Sequence, residues 1–194
     1  MIGGLNIKDV DIKTLQNDDT TVNHVKKFLF DIIKNDFGYG YVPAYHKDIL
    51  DMKKFYMDPE KNTFFVAVDK KMGKIIGTAG IRAYDRDFKS LSGRYNFETT
   101  ASFCRIFVDK NWRRNGIATA LVQSAEDFCT RNGYLKVYLH TQKTVDGSLD
   151  FWLSRGYKVV LDTENKIGTV HMEKEISNMV NALPAFESAE TEKV

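Results

Sequence analysis

Asn111-Trp112-Arg113-Arg114-Asn115-Gly116-Ile117-Ala118-Thr119-Ala120-Leu121 sets two arginines, an asparagine and a glycine directly before a run with helical spacing. Glycine has no Cβ, so a ligand can approach the backbone closely at Gly116. The first amides of a helix lack intrahelical partners, and the helix dipole favours an anion beside them. Arg113 and Arg114 add charge-assisted donors, and Asn115 can cap the helix or take a left-handed turn. Such a turn is built to hold a diphosphate between a strand and a helix.

Two familiar phosphate loops are excluded by composition. No Gly-Lys-Ser/Thr follows a glycine-rich run, and three glycines in the spacing GxGxxG are absent. With 194 residues, 43% hydrophobic and 28% charged, the chain has the size and composition of one packed domain. We expect that domain over residues 1–178 and a flexible tail over 179–194, where Pro184 mixes with acids and small residues. The net charge of +2 is too small to argue for nucleic acid or an anionic membrane as partner. Cys104 and Cys129 lie in apolar segments and read as buried reduced thiols, which favours a cytoplasmic setting. No apolar run approaches the roughly 20 residues of a membrane span, and the first residues lack the apolar core of a signal peptide. No metal site is expected.

Working outward, residues 7–15 alternate as a strand, and Thr20 or Thr21 can cap a helix to about residue 35. FGYGYVPAYH at 37–46 breaks that helix, and 47–57 reads as a second one. Residues 63–69 and 75–84 form a hairpin, 85–97 a polar loop, and 99–109 a strand. A helix at 116–131 ends at Asn132-Gly133, a strand runs over 135–141, a short helix over 148–155, and 157–161 with 169–175 closes as a hairpin. The order β-α-α-β-β-β-α-β-α-β-β predicts an α/β (α+β) domain with a mixed, largely antiparallel central sheet and helices on both faces.

Arg113-x-x-Gly116-x-Ala118, preceded by a strand ending Ile106-Phe107-Val108-Asp109, resembles the acetyl-CoA loop of the GNAT superfamily of N-acetyltransferases. Phe151-Trp152-Leu153-Ser154-Arg155-Gly156-Tyr157 resembles that family's closing helix motif, and the likeness covers about residues 5–176. The resemblance implies acetyl transfer from acetyl-CoA to a primary amine on a small molecule or peptide, by direct attack in a ternary complex. It implies that backbone groups of Ile106, Phe107 and Val108 pair with the pantetheine arm like an added strand. Amides of Arg114, Asn115, Gly116, Ile117, Ala118 and Thr119 would hold the pyrophosphate, assisted by Arg113, with Ser148 and Phe151 flanking the arm. The sheet would splay between the strand at 99–109 and that at 135–141, and the Val108 N–H would serve as oxyanion donor.

The chain also departs from the pattern. The usual acid, a tyrosine, is replaced by Trp152, whose indole N–H cannot act as a proton donor of suitable pKa. Ser148, Tyr138 or an unassisted thiolate remain as alternatives. The usual strand glutamate is replaced by Ser102, so Glu98 or His140 is the candidate base, acting through water, with Asp85 and Asp87 nearby in the chain. Tyr39, Tyr41 and Tyr45 on the Gly-rich linker, with His46, can form an aromatic lid over an amine with Asp48 as counter-charge, or a latch tying the linker to the core. Tyr84, Arg82 and Arg94 would face the same pocket and suit a carboxylate-bearing acceptor. The two missing groups also admit a non-catalytic acyl-CoA-binding module. Monomer and homodimer are both compatible with the terminal hairpin.

Overall fold

The computed structural model describes residues 7–86 and 88–176; Asp87 and the expected tail lie outside the described residues. Seven strands form one sheet in the order β1-β2-β3-β4-β5-β7-β6. They are β1 (Val10–Thr14), β2 (Thr63–Asp69), β3 (Ile75–Ala83), β4 (Thr100–Val108), β5 (Lys136–Gln142), β6 (Lys158–Asp162) and β7 (Thr169–Glu175). Neighbours run antiparallel except β4 and β5, which are parallel. The expected element order and mixed sheet are therefore present, and β7 inserts between β5 and β6 as the return strand of the terminal hairpin.

The two faces carry separate cores. Helices α1 (Asp19–Asn35) and α2 (Pro43–Leu50) cover one face, where Val25, Leu29, Ile33 and Ile49 pack with Phe64 and Val66. Helices α3 (Ile117–Arg131) and α4 (Ser148–Ser154) cover the other, where Leu121, Ala125 and Trp152 pack with Phe65, Ile81, Phe103 and Leu139. Because both faces are covered, β2 and β3 read as apolar runs and not as alternating patterns, and eight of the nine residues of β3 are buried.

The first half of the chain differs locally from expectation. A 3-10 turn at Ile7–Asp9 replaces the start of the predicted first strand. The α1 cap is Asp18, whose carboxylate accepts the Thr21 N–H at 2.8 Å, so the cap falls two or three residues before the threonines. The second helix begins inside the linker, because Pro43 occupies its first turn, where a missing N–H costs nothing. It stops at Leu50, and a π turn at Lys53–Met57 follows. A 3-10 turn at Lys89–Leu91 punctuates the loop after β3.

The feature that positions the site is in the middle of the sheet. β4 pairs with β5 only at Thr100–Lys136, Ala101–Val137 and Ser102–Tyr138. On its other edge β4 stays with β3, but two residues intervene between the partners of Thr78 and Gly80, Phe107 and Cys104, where β3 has one. This bulge bends β4 away from β5. Arg105 takes the left-handed conformation there, with φ +53°, and its carbonyl accepts the Thr78 hydroxyl at 2.8 Å. Gly80 lies under the bulge because a Cβ would sit 2.9 Å from the Tyr56 ring and 3.0 Å from the Cys104 carbonyl.

Candidate active site

The α3 end of the site is built by a turn with two left-handed residues, Arg114 at φ +65° and Gly116 at φ +78°. Such alternation turns successive amides inward and makes an anion-binding concavity. A Cβ on Gly116 would meet no atom within 4 Å, so the space over the turn is open. Val108, Arg113, Arg114, Gly116, Ile117, Ala118, Thr119 and Phe151 line a depression of about 210 Å³ there. The fit to a diphosphate thus rests on backbone geometry and on unfilled space.

The side chains of the turn divide the labour differently from expectation. Arg113 donates from Nε to the Val108 carbonyl at 3.0 Å and pairs with Asp36 at the end of α1. It is a brace between β4, the turn and α1, and no longer a free anion donor. Asn115 donates to the carbonyls of Trp112 and Arg113 at 3.1 and 3.0 Å, so its side chain staples the turn. Arg114 has no carboxylate partner among the described residues, and its Nη2 lies 3.7 Å from the point a Gly147 Cβ would occupy. It therefore reaches from the α3 turn to the start of α4.

Along β4 the open edge is selective. The Asp109 amide donates back to Ile76 on β3 at 2.9 Å. Alternate residues of a strand direct their amides to opposite edges, so Val108 and Ile106 face the gap toward β5 while Phe107, opposite Thr78, faces β3. The main-chain groups of Phe107 are thus committed to β3, against expectation, and those of Ile106 and Val108 are left facing the gap. Across the gap, the Ser148 and Thr141 hydroxyls bond at 2.5 Å, and Phe151 packs edge-on to Trp152. Trp152 is buried, edge-on also to Tyr157, as part of the core.

On the α1/α2 face, Ser102 and Cys104 of β4 and Tyr138 and His140 of β5 border the point where the strands part. His140 is exposed, yet the rings of Phe88, Tyr138 and His171 lie within about 6.4 Å of it. The packing, followed by Arg86, His171 and Arg105, holds its pKa down to about 4. His171, its cross-strand partner, is likewise lowered by burial and takes a hydrogen bond of 2.7 Å with the Tyr138 hydroxyl. Burial, aided by Tyr84, raises the Tyr138 pKa, so its hydroxyl is a donor and not an anion.

Other expected site residues lie elsewhere. Glu98 precedes β4 at its paired end, is solvent-exposed, and bonds Lys61 at 3.3 Å. About ten residues of near-extended chain, some 30 Å, separate it from Val108, so it does not reach the gap. Tyr84 is buried against Tyr95 and Tyr138 and forms core, not pocket wall. Arg94 is held by both Glu173 oxygens at 2.9 Å. Arg82 pairs with Asp85 and lies 4.7 Å from the Phe55 ring, lining a separate groove of about 460 Å³.

The linker aromatics combine latch and cover. Phe37 packs on Phe107 at 5.5 Å and stacks with Tyr39, and Tyr41 contacts Phe30 and His46. Tyr45 is 75% exposed, and its carbonyl accepts from Arg105 at 2.5 Å. Asp48 is not available as a counter-charge for an amine, because Arg105 takes both its oxygens. Arg86 and Arg105 escaped sequence reasoning: the former sat in a segment read as polar loop, the latter in a strand.

Comparison with known proteins agrees with this architecture. The profile of the acetyltransferase (GNAT) family matches residues 26–157. A zebrafish (Danio rerio) N-acetylaspartate synthetase is 29% identical over 122 residues, 63% of this chain and 39% of that protein. Human N-acetyltransferase 8 is 31% identical over 57% of this chain and 45% of its own length. The chain thus spans less than half of these relatives. A GNAT acetyltransferase from Staphylococcus aureus Mu50 superposes with a TM-score of 0.68 at 17% identity, covering 86% of this chain and all of that one. An aminoglycoside 6'-N-acetyltransferase solved with coenzyme A superposes at 0.63 and 19% identity, covering 86% of this chain and 97% of that one. With the divided sheet, the left-handed turn and a family match over most of its length, the chain belongs to the acetyltransferase (GNAT) family.

Proposed function

We propose that the protein transfers the acetyl group of acetyl-CoA to the amine of a small acceptor by direct attack in a ternary complex. The observation that carries this reading is the unpaired β4 edge leading into the open Gly116 turn. Acetyl-CoA would supply an activated thioester. The amides of the turn from Arg114 to Thr119, with the Arg114 guanidinium, would hold its diphosphate. Ile106 and Val108 would present main-chain groups to its arm, with Ser148 and Phe151 alongside. Val108 N–H, directed into the gap, would donate to the thioester oxygen as negative charge grows there.

An amine must lose a proton before it can attack, since a lysine amine has a pKa near 10.4 and an α-amine near 8. His140 is uncharged through the neutral range because its pKa is about 4. A neutral imidazole accepts a proton but does not keep one at that pKa, so it serves as a relay through water. Glu98 is not part of this machinery. On the leaving side, a free thiol pKa of about 8.5 allows departure with only a hydrogen bond, which the Ser148 hydroxyl supplies. Tyr39, Tyr41 and Tyr45 border the acceptor's approach.

Among the relatives, the name N-acetylaspartate synthetase points, for that protein, to a small acidic amine. The test is acetyl-CoA consumption, followed as free thiol, with a panel of amines, together with calorimetry of coenzyme A binding. Thiol release that depends on an amine supports the reading. Tight coenzyme A binding without turnover of any amine replaces it with a non-catalytic acyl-CoA-binding module.

A further inference from the structure

Three guanidiniums, Arg82, Arg86 and Arg105, bear on the α1/α2 side of the parted strands, and among the described residues two carboxylates, Asp48 and Asp85, answer them. Asp48 is fully engaged by Arg105, and Asp85 is engaged by Arg82. Arg86 approaches Asp85 only at 3.9 Å, and its Nε is buried without a hydrogen-bond partner among the described residues. A buried guanidinium N–H left unbonded is costly and calls for an explanation, of which an external partner is one.

Its position points to the acceptor. Two residues along the same loop, Phe88 packs edge-on to His140 at 6.1 Å and to His171 at 4.9 Å, so the loop arches over β5. The charge of Arg86 acts on Cys104 of β4 and on Tyr138 and His140 of β5, the groups that flank the gap. The side chain keeps 31% of its surface accessible. The Ser102 hydroxyl, in a residue only 1% exposed, is likewise without a hydrogen-bond partner among the described residues, and Ser102 is the last β4 residue paired with β5. The accessible part of the Arg86 side chain therefore lies beside the strands that part to form the gap.

We infer that Arg86 is the specificity-determining residue of the acceptor site, binding a carboxylate carried by the amine through the accessible face of its guanidinium. The acceptor class is the free amino acid or a closely related amino carboxylate. The inference rests on the acetyltransferase reading above. A guanidinium matches a carboxylate with two parallel hydrogen bonds, which a lysine ammonium cannot reproduce.

The test compares amines that differ only by the carboxylate: L-phenylalanine with 2-phenylethylamine, and L-alanine with ethylamine. In the wild type, kcat/KM should favour each α-carboxylate-bearing member by about tenfold to a hundredfold, the worth of a charge-assisted pair. Arg86→Gln should collapse that ratio toward one, chiefly through KM, and Arg86→Lys should restore part of it. Equal turnover of both members of each pair, or a ratio that Arg86→Gln leaves intact, overturns the inference while the acetyltransferase reading stands. Should no amine be turned over, that reading fails, and calorimetry decides the inference alone. L-Aspartate and L-phenylalanine titrated into protein saturated with coenzyme A must then bind to the wild type and not to Arg86→Gln. No binding, or equal binding to both, overturns it. Melting temperatures within about 2 °C of wild type confirm that both variants are folded.

Discussion

The guanidinium of Arg105 grips the carboxylate of Asp48 with two bonds, Nε to Oδ2 at 3.0 Å and Nη2 to Oδ1 at 2.7 Å, across 57 positions of sequence. The pair ties the β4 bulge to α2, and the Tyr56 hydroxyl adds a 2.5 Å bond to the same Oδ2. Burial alone would raise the Asp48 pKa, but Arg105 and Tyr56 override it, and the net shift is downward. Asp48→Ala leaves a buried cation and a buried hydroxyl unmatched and should cost about 3–5 kcal/mol. A fall in Tm of about 10 °C or more is the readout. The sign of the pH effect follows from the lowered pKa. The contribution is complete above the unfolded value near 3.8 and is lost as pH falls through the lower folded value. Asp48→Asn should therefore flatten the stability curve only below about pH 4.

Gly116→Val should cost at least tenfold in coenzyme A affinity by calorimetry, because a branched side chain would enter the space left for the phosphates. A non-glycine residue at φ +78° also costs roughly 1–2 kcal/mol. Since nothing lies within 4 Å of the new Cβ, the fold should persist, with an unchanged far-ultraviolet circular dichroism spectrum. Retained affinity would remove the turn from the binding site.

His140 prefers to be neutral in the folded protein, with a pKa of about 4 against an ordinary 6.5. The unfolded chain binds its proton more readily between those values, so stability rises with pH across the window and is lost as pH falls from 6.5 toward 4. His140→Gln should reduce that loss in thermal melts taken from pH 4.5 to 7. If His140 relays the proton, the acid limb of kcat/KM in the wild type should also lie near pH 4 and vanish in the variant. A wild-type limb near 6.5 would assign the step to another group.

Glu98→Gln should leave kcat/KM within about twofold of wild type, because the side chain lies at the paired end of β4. Its ion pair with Lys61 joins two exposed groups, of a kind contributing about 0–1 kcal/mol. A hundredfold loss of activity would mean that the strands part at the opposite end of the seam.

What was readable in the sequence was what is local. The strand-turn-helix from Ile106 to Leu121 announces itself because its function resides in backbone conformation, which Gly116 and the helical spacing encode directly. The acceptor side was not readable, since it is assembled from distant segments: Asp48 and Arg105, Phe88 and His171, Ser102 and Tyr138. Glu98 was a reasonable candidate while its register against the gap was unknown, and the three β4–β5 pairs decide against it. The bulge at Arg105 had no warning, because left-handed backbone at an arginine is imposed by the Thr78 and Asp48 contacts and not by the residue itself.

The narrow contact between β4 and β5 has a mechanical consequence. Seven register pairs join β5 to β7 and five join β1 to β2, but three join β4 to β5. Under tension applied across the sheet, the molecule should tear along that line, with the first four strands leaving as one flap and the last three as another.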